Sequence, residues 1–99
     1  MLNINKETNG TSFVITLGGR LDTTTAPELE SAIKESLDGV TELIVDCKEL
    51  EYISSAGLRV LLSAQKIMNK QGRMVIRNAS EEIKEIFDVT GFSDILTIE

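Results

Sequence analysis

The sequence predicts an α/β domain with a mixed, mostly parallel sheet of four to five strands and helices packed against it. Two observations lead to this fold class. Two N-terminal segments have apolar residues at every second position, and segments of helical period then alternate with short runs of β-forming residues. Strands that alternate with helices are joined by crossovers, so the sheet beyond the first two strands should be parallel. The expected order is β-β-α-β-α-β-α, in a single domain over residues 1–99.

The first two strands are predicted to form a hairpin. Alternating apolar positions mark each of them: Leu2 and Ile4 in the first, and Phe13, Ile15 and Leu17 in the second. Asn9-Gly10 lies between the two segments, and this dipeptide is a typical hairpin turn. We therefore expect an antiparallel pair at one edge of the sheet.

The first helix is predicted to begin at Thr25-Ala26-Pro27-Glu28. This run matches a capping box, with proline in the first turn, where its missing N–H is harmless. Apolar residues then recur at helical spacing as far as Leu37, and Gly39 is expected to end the helix.

Two further strand–helix units follow. Leu43-Ile44-Val45 predicts a central strand covered on both faces, and a loop from Lys48 should lead to a second helix that begins at Ser54-Ser55 and ends near Gly72. Met74-Val75-Ile76 predicts another buried strand. A third helix, with Ile83, Ile86 and Phe87 on one face, should end at Gly91 in a left-handed cap. Residues 95–98 form either a last short strand or irregular chain.

The second helix has two apolar stripes instead of the usual one. Leu58, Leu61, Leu62 and Met68 form the expected core face, and Val60, Ala64 and Ile67 form a second stripe. The second stripe packs on a neighbouring helix or waits for a partner protein, and the sequence leaves both alternatives open.

Composition excludes several classes of function. Histidine is absent and Cys47 is the only cysteine, so no internal disulfide, Ser-His or Cys-His pair, or structural zinc site can form. The net charge of −6 disfavours nucleic acid and anionic membranes as partners. The N-terminal segment lacks a signal-peptide pattern, and no apolar stretch approaches the ~20 residues that span a bilayer. We expect a cytoplasmic monomer that binds proteins and has no enzymatic activity, cofactor or metal.

Hydroxyl and carboxyl side chains are concentrated in two segments that follow predicted strands. The segments are residues 18–25 and 46–55, and in open α/β sheets such strand ends meet at one edge where ligands bind. The simplest role for Ser54 and Ser55 is to cap the second helix. Gly57 points to a further constraint, because glycine in a helix costs ~1 kcal/mol relative to alanine. Close packing at this position would explain it.

Three segments together resemble the bacterial anti-sigma factor antagonists, the STAS domain family. Residues 46–61, which contain Ser54-Ser55-Ala56-Gly57-Leu58, look like the family signature. Gly19-Arg20-Leu21-Asp22 resembles the family's Gly-x-Leu-Asp segment, and Asp88-Val89-Thr90-Gly91-Phe92 is similar to its closing stretch. The resemblance covers nearly the whole chain in the right order, and it implies a STAS-like fold.

The resemblance also implies a partner switch. Family members bind an anti-sigma factor that is also a serine/threonine kinase, and this binding frees a sigma factor for transcription. The kinase inactivates the antagonist by phosphorylating one serine with ATP, and a serine phosphatase reverses the modification. Alignment on Gly57 places the phospho-acceptor at Ser55, with Ser54 as the alternative, and Asp22 at the family's acidic position. The expected partner-binding residues are Asp22, Thr23, Thr24, Ser54, Ala56, Gly57, Arg59 and Val60.

One residue departs from the family pattern. Family members often have aspartate immediately before the acceptor, whereas this chain has Ser54. Two adjacent hydroxyls therefore compete for the acceptor role, and the missing carboxylate bears on recognition by the kinase.

Two other functions remain open at this stage. The first is a STAS scaffold subunit of a signalling or lipid-transport complex, without phosphorylation, in which the second stripe would be permanently buried by a partner. The second is a nucleotide-binding or phosphoryl-transfer enzyme that uses Asp22 and Asp46 with Mg²⁺, although no Gly-rich phosphate loop supports it.

Overall fold

A computed structural model of the chain describes residues 2–99, and it confirms the predicted order of strands and helices. The elements are β1 (Leu2–Asn9), β2 (Ser12–Leu21), α1 (Ala26–Ser36), β3 (Glu42–Ile53), α2 (Ser55–Gln71), β4 (Arg73–Arg77) and α3 (Glu81–Thr90), followed by a short 3-10 helix (Phe92–Asp94). No helix in this part of the chain has the length and apolar character needed to cross a membrane.

The sheet has the spatial order β1-β2-β3-β4. β1 and β2 form the predicted antiparallel hairpin around Gly10, whose φ of +64° suits the turn, and the pairs β2–β3 and β3–β4 are parallel. The C-terminal segment adds only an isolated parallel bridge between Ile76 and Ile98. The sheet is therefore mixed and mostly parallel, as predicted, with four strands in the described chain.

Alternate residues of the strands and the apolar faces of all three helices share one hydrophobic core. Ile15 and Leu17 of β2 are fully buried in it, together with Leu61 of α2 and Phe87 of α3. The left-handed end of α3 is confirmed at Gly91, whose φ is +82°. α1 ends at Ser36, earlier than the predicted stop at Gly39.

β3 differs from its prediction in two ways. Leu43 and Val45 are fully buried, but Ile44 between them is only half-buried, so the strand is not fully covered on both faces. The predicted loop after Lys48 is also wrong, because β3 continues to Ile53. Its register against β2 shifts twice, and each shift inserts one extra residue into β3. Such bulges break the alternation by which a strand is recognised.

The second stripe of α2 belongs to the interior of the domain. Val60 and Ala64 are buried in the core and Ile67 packs partly against it, while α2 lies in contact with α1. The alternative in which a neighbouring helix covers this stripe is therefore confirmed. The scaffold hypothesis relied on a second stripe that a partner would bury, and this observation no longer supports it.

Candidate functional site

The candidate site lies where β2 and β3 end at the same edge of the sheet. Leu21 pairs with Ile53 at the ends of the two parallel strands, and the Ser54 amide donates a hydrogen bond of 2.8 Å to the Leu21 carbonyl oxygen. This bond ties the start of α2 to the turn that begins at Asp22. The two polar segments singled out in the sequence therefore meet here.

The two adjacent serines have different environments. Ser54 is the N-cap of α2, with extended backbone (φ −98°, ψ 176°), and its Oγ is buried without a hydrogen-bond partner among residues 2–99. Ser55 is the first residue of the helix and is exposed. The sequence-based role of Ser54 as a side-chain cap is wrong, since its hydroxyl makes no cap bond. An enzyme that acts on a surface hydroxyl would meet Ser55.

Asp22 holds the β2–α1 turn together with its carboxylate. Its Oδ1 accepts hydrogen bonds from the Thr24 hydroxyl at 2.7 Å and from the Thr24 and Thr25 amides at 3.0 and 3.2 Å. The Thr24 hydroxyl makes the largest contribution to a lowered pKa of Asp22; the backbone amides add to it, and partial burial opposes it. The carboxylate is therefore held ionised beside the start of α2.

The expected capping box at α1 does not form, because Thr25 serves the turn instead. Its hydroxyl donates to the Arg20 carbonyl oxygen at 2.9 Å and accepts from the Asp22 amide at 2.8 Å, and it makes no cap bond to the helix. A threonine hydroxyl can bond either to backbone groups of a turn or to the free amides at a helix start. In this chain the Thr25 hydroxyl bonds to the turn.

Two neighbours of the turn were not predicted as part of the site. The Arg20 guanidinium lies over the Tyr52 ring at 4.4 Å from its centroid, and Nε of Arg20 is 3.8 Å from Oδ2 of Asp22. Arg20 and Tyr52 are paired across β2 and β3. This pairing could not be predicted from the sequence, because Tyr52 lies beyond the first bulge of β3, in the segment that was predicted to be a loop.

A groove of about 350 Å³ separates the first turns of α1 and α2. It is lined by Thr23, Ala26, Pro27, Glu30, Ala56, Arg59, Val60 and Ser63. Four of these, Thr23, Ala56, Arg59 and Val60, were predicted to bind a partner. The four others lie on α1 or further along α2. They could not be predicted from the sequence, because the pairing of the two helices is a tertiary feature.

Two of the predicted partner-binding residues are almost inaccessible to solvent. Val60 is 6% exposed and forms part of the groove wall, and Gly57 is buried. A Cβ atom at Gly57 would lie 2.6 Å from Leu21 Cγ and 2.9 Å from Ile53 Cγ1. Close packing against the strand ends therefore explains the glycine, as the sequence suggested.

Asp46 and Cys47 lie away from this site. Asp46 is within β3, seven residues before Ile53, or about 23 Å along the strand at ~3.3 Å per residue. Its Oδ1 accepts from the Lys48 amide and the Asn78 side chain, so the structure does not bring it to Asp22. Burial, and then the charge of Asp46, raises the pKa of the Cys47 thiol to about 12, so the thiol stays protonated at neutral pH.

The chain is similar in sequence and fold to several bacterial proteins. An anti-sigma-B factor antagonist of Staphylococcus aureus (strain NCTC 8325 / PS 47) is 29% identical over 99 residues, which is 98% of this chain and 92% of that protein. The crystal structure of an anti-sigma factor antagonist from Mycobacterium paratuberculosis has a TM-score of 0.89 at 22% identity, with 99% and 85% of the two chains covered. The phosphorylated form of the Bacillus cell fate determinant SpoIIAA has a TM-score of 0.77 at 21% identity, with 98% and 91% covered.

At these identities the two solved structures establish the fold alone. The family follows from a separate match, because the model of the STAS domain family fits residues 3–99. That range includes the four strands except for Leu2, the first residue of β1, and it includes all three α-helices and the whole candidate site. The chain belongs to the STAS domain family.

Proposed function

We propose that this chain is an anti-sigma factor antagonist whose binding is switched by phosphorylation of Ser55. Its partner is an anti-sigma factor with serine/threonine kinase activity, and its binding frees a sigma factor for transcription. A serine phosphatase restores the active form. The chain acts as a monomer that binds and is modified, without catalysing a reaction itself.

The observation that carries the proposal is the position of Ser55. Ser55 is exposed in the first turn of a 17-residue helix, and the next residue, Ala56, lines the groove together with Arg59. A protein seated in the groove would lie beside its hydroxyl. The names of the Staphylococcus relative and of the Mycobacterium structure support the same class of function, and the SpoIIAA structure is of a phosphorylated form.

The local physics supports a switch that leaves the fold intact. A phosphate adds about −1.5 to −2 charges and three acceptor oxygens. At a helix N-terminus the free amides and the helix dipole favour negative charge, so the domain can accept it. A partner that covers Ser55 would meet a new anion within its interface, and like charges across an interface cost several kcal/mol.

Burial favours Ser55 over Ser54 as the acceptor. The Oγ of Ser54 is closed off from solvent, so a kinase would have to open the start of α2 to reach it. Ser55 needs no such rearrangement.

The test captures the partner and then maps the modification. Immobilised chain is incubated with a lysate of the source cells with and without ATP, and the protein that ATP releases is identified by mass spectrometry. The purified partner is then incubated with ATP and three forms of the chain: wild type, Ser55→Ala and Ser54→Ala. We expect phosphate on Ser55 in the wild type and in Ser54→Ala, and none in Ser55→Ala.

Phosphate that is incorporated undiminished into Ser55→Ala would remove Ser55 from the role. A stoichiometric partner that ATP does not release would favour a scaffold subunit instead.

A further inference from the structure

Arg59 is an exposed cation without a partner at the wall of the groove. Among residues 2–99 the ion pairs involve Arg20, Lys34, Arg73 and Arg77, and Arg59 takes part in none of them. In a chain with a net charge of −6, an unpaired arginine at the candidate site has no evident structural task.

The helix places Arg59 one turn after Ser55. Residues four apart on an α-helix are neighbours on its surface, with Cβ atoms about 5–6 Å apart. Long side chains in helices point back toward the N-terminus and cover the preceding turn. This spacing therefore brings a group on Ser55 within reach of the Arg59 side chain, since both residues lie within the continuous helix α2.

The other charged side chains of the groove and of the β2–α1 turn are paired with one another. Asp22 directly follows Leu21, whose carbonyl oxygen accepts a hydrogen bond from the Ser54 amide. Arg20 is engaged with Asp22 and with the Tyr52 ring. On α1, Glu30 lines the same groove, and its Oε1 is 3.8 Å from the Nζ of Lys34. Arg59 is therefore the cation of the groove lining that remains free to pair with an anion on Ser55.

We propose that Arg59 is the intramolecular receptor for a phosphate on Ser55. The inference rests on the proposed function, in which Ser55 is the phospho-acceptor. Arginine suits this role because its planar fork forms two parallel hydrogen bonds to a phosphate. The same side chain lines the groove when Ser55 is unmodified, so pairing with the phosphate withdraws a cation from the partner's binding site. Phosphorylation then alters the groove as well as adding charge beside it.

The test measures the ionisation of the phosphate itself. Phosphoserine is installed at position 55 by genetic code expansion in the wild type, Arg59→Gln, Arg59→Lys and Lys66→Gln, and each chain is titrated by ³¹P NMR. A neighbouring guanidinium stabilises the dianion, so the second pKa of the phosphate should be about half a unit lower in the wild type than in Arg59→Gln. Arg59→Lys should give an intermediate value, because it keeps the charge and loses the fork.

Lys66→Gln is the matched control. It removes an exposed cation from the same helix, but Lys66 is eleven residues from Ser55, or ~16 Å along the axis. Exposed charges at that distance are largely screened at physiological salt, where the Debye length is about 8 Å. Its titration should match that of the wild type.

Equal phosphate pKa values in the wild type and Arg59→Gln would overturn the proposal, as would an equal shift in Lys66→Gln. Because the phosphoserine is encoded, this result does not depend on a kinase. If the kinase modifies another residue, the proposed function fails while the pairing can still be observed; if the titrations coincide while the kinase modifies Ser55, only the pairing fails.

Discussion

Ser54 and Ser55 are adjacent and have the same side chain, but one hydroxyl is buried and the other residue is exposed. Ser54 has extended backbone and donates its amide to the end of β2, which turns its hydroxyl inward. Ser55 is the first residue of α2 and lies on the surface. The sequence identified the pair and the family resemblance favoured the second serine, but neither could reveal the burial of the first hydroxyl. That burial depends on the pairing of Leu21 with Ile53, which are far apart in the chain.

The carboxylate of Asp22 makes stability depend on pH in the acid range. Its pKa in the folded protein lies below the ordinary value of 3.8, so between these two values the unfolded chain binds more protons than the folded one. The stabilisation by Asp22 is therefore fully present above the unfolded-state pKa and is lost as pH falls through the folded-state pKa.

We expect the stability advantage of the wild type over Asp22→Asn to shrink as pH falls from about 5 to about 3, as measured by urea unfolding. Thr24→Ala, which removes the strongest hydrogen bond to the carboxylate, should weaken the same pH dependence. Parallel stability curves for the wild type and Asp22→Asn over this range would contradict the assignment.

At the scale of elements, the first turn of α2 is fixed by contact with the ends of β2 and β3. A Cβ atom at position 57 would lie 2.6 Å from Leu21 Cγ, closer than carbon atoms approach without displacement. Gly57→Ala should therefore be destabilising, even though alanine favours the helix by ~1 kcal/mol over glycine. Overpacking costs ~1–3 kcal/mol, so we expect a net loss of about 1 kcal/mol in the free energy of unfolding.

Chemical denaturation of Gly57→Ala and of Ser63→Ala tests this packing. Ser63 is an exposed residue of the same helix, and its substitution should change stability by no more than about 0.5 kcal/mol. A Gly57→Ala chain as stable as the wild type would mean that the first turn of α2 can shift away from Leu21 without cost.

The elements that could be predicted are those in which apolar residues repeat at a regular spacing or a local turn signal is present. The hairpin around Asn9-Gly10, the buried faces of the helices and the left-handed stop at Gly91 all follow from local pattern. The second half of β3 could not be predicted, because two bulges against β2 space its buried residues irregularly as Cys47, Leu50 and Ile53. The hydrogen bonds of Thr25 could not be predicted either, since helix and turn compete for one hydroxyl.

At the scale of the whole molecule, topology assembles the site. Parallel β2 and β3 end at one edge, which brings the Asp22 turn to the start of α2, and contact between α1 and α2 creates the groove. The sequence could place Asp22 and Ser55 at this edge because strand ends and helix starts have local signals, and the family resemblance added Arg59. It could not supply the α1 wall of the groove, Ala26, Pro27 and Glu30, because helix pairing has no local signal.

The central claim is that the domain tolerates a phosphate on Ser55 and the bound partner does not. The most direct test is to encode phosphoserine at position 55 and compare the unmodified and modified chains for binding to the captured partner by calorimetry. NMR spectra of both chains report the fold. Asn9→Asp is the control, because it adds one negative charge in the hairpin turn at the opposite end of β2 from the site.

We predict that the modified chain keeps its fold, with spectral changes confined to the β2–α1 turn and the first turns of α2. Its affinity for the partner should fall at least tenfold, or ~1.4 kcal/mol, while Asn9→Asp binds like the wild type. Unchanged affinity of a fully phosphorylated chain, or weaker binding that appears only with unfolding of the domain, would contradict the claim.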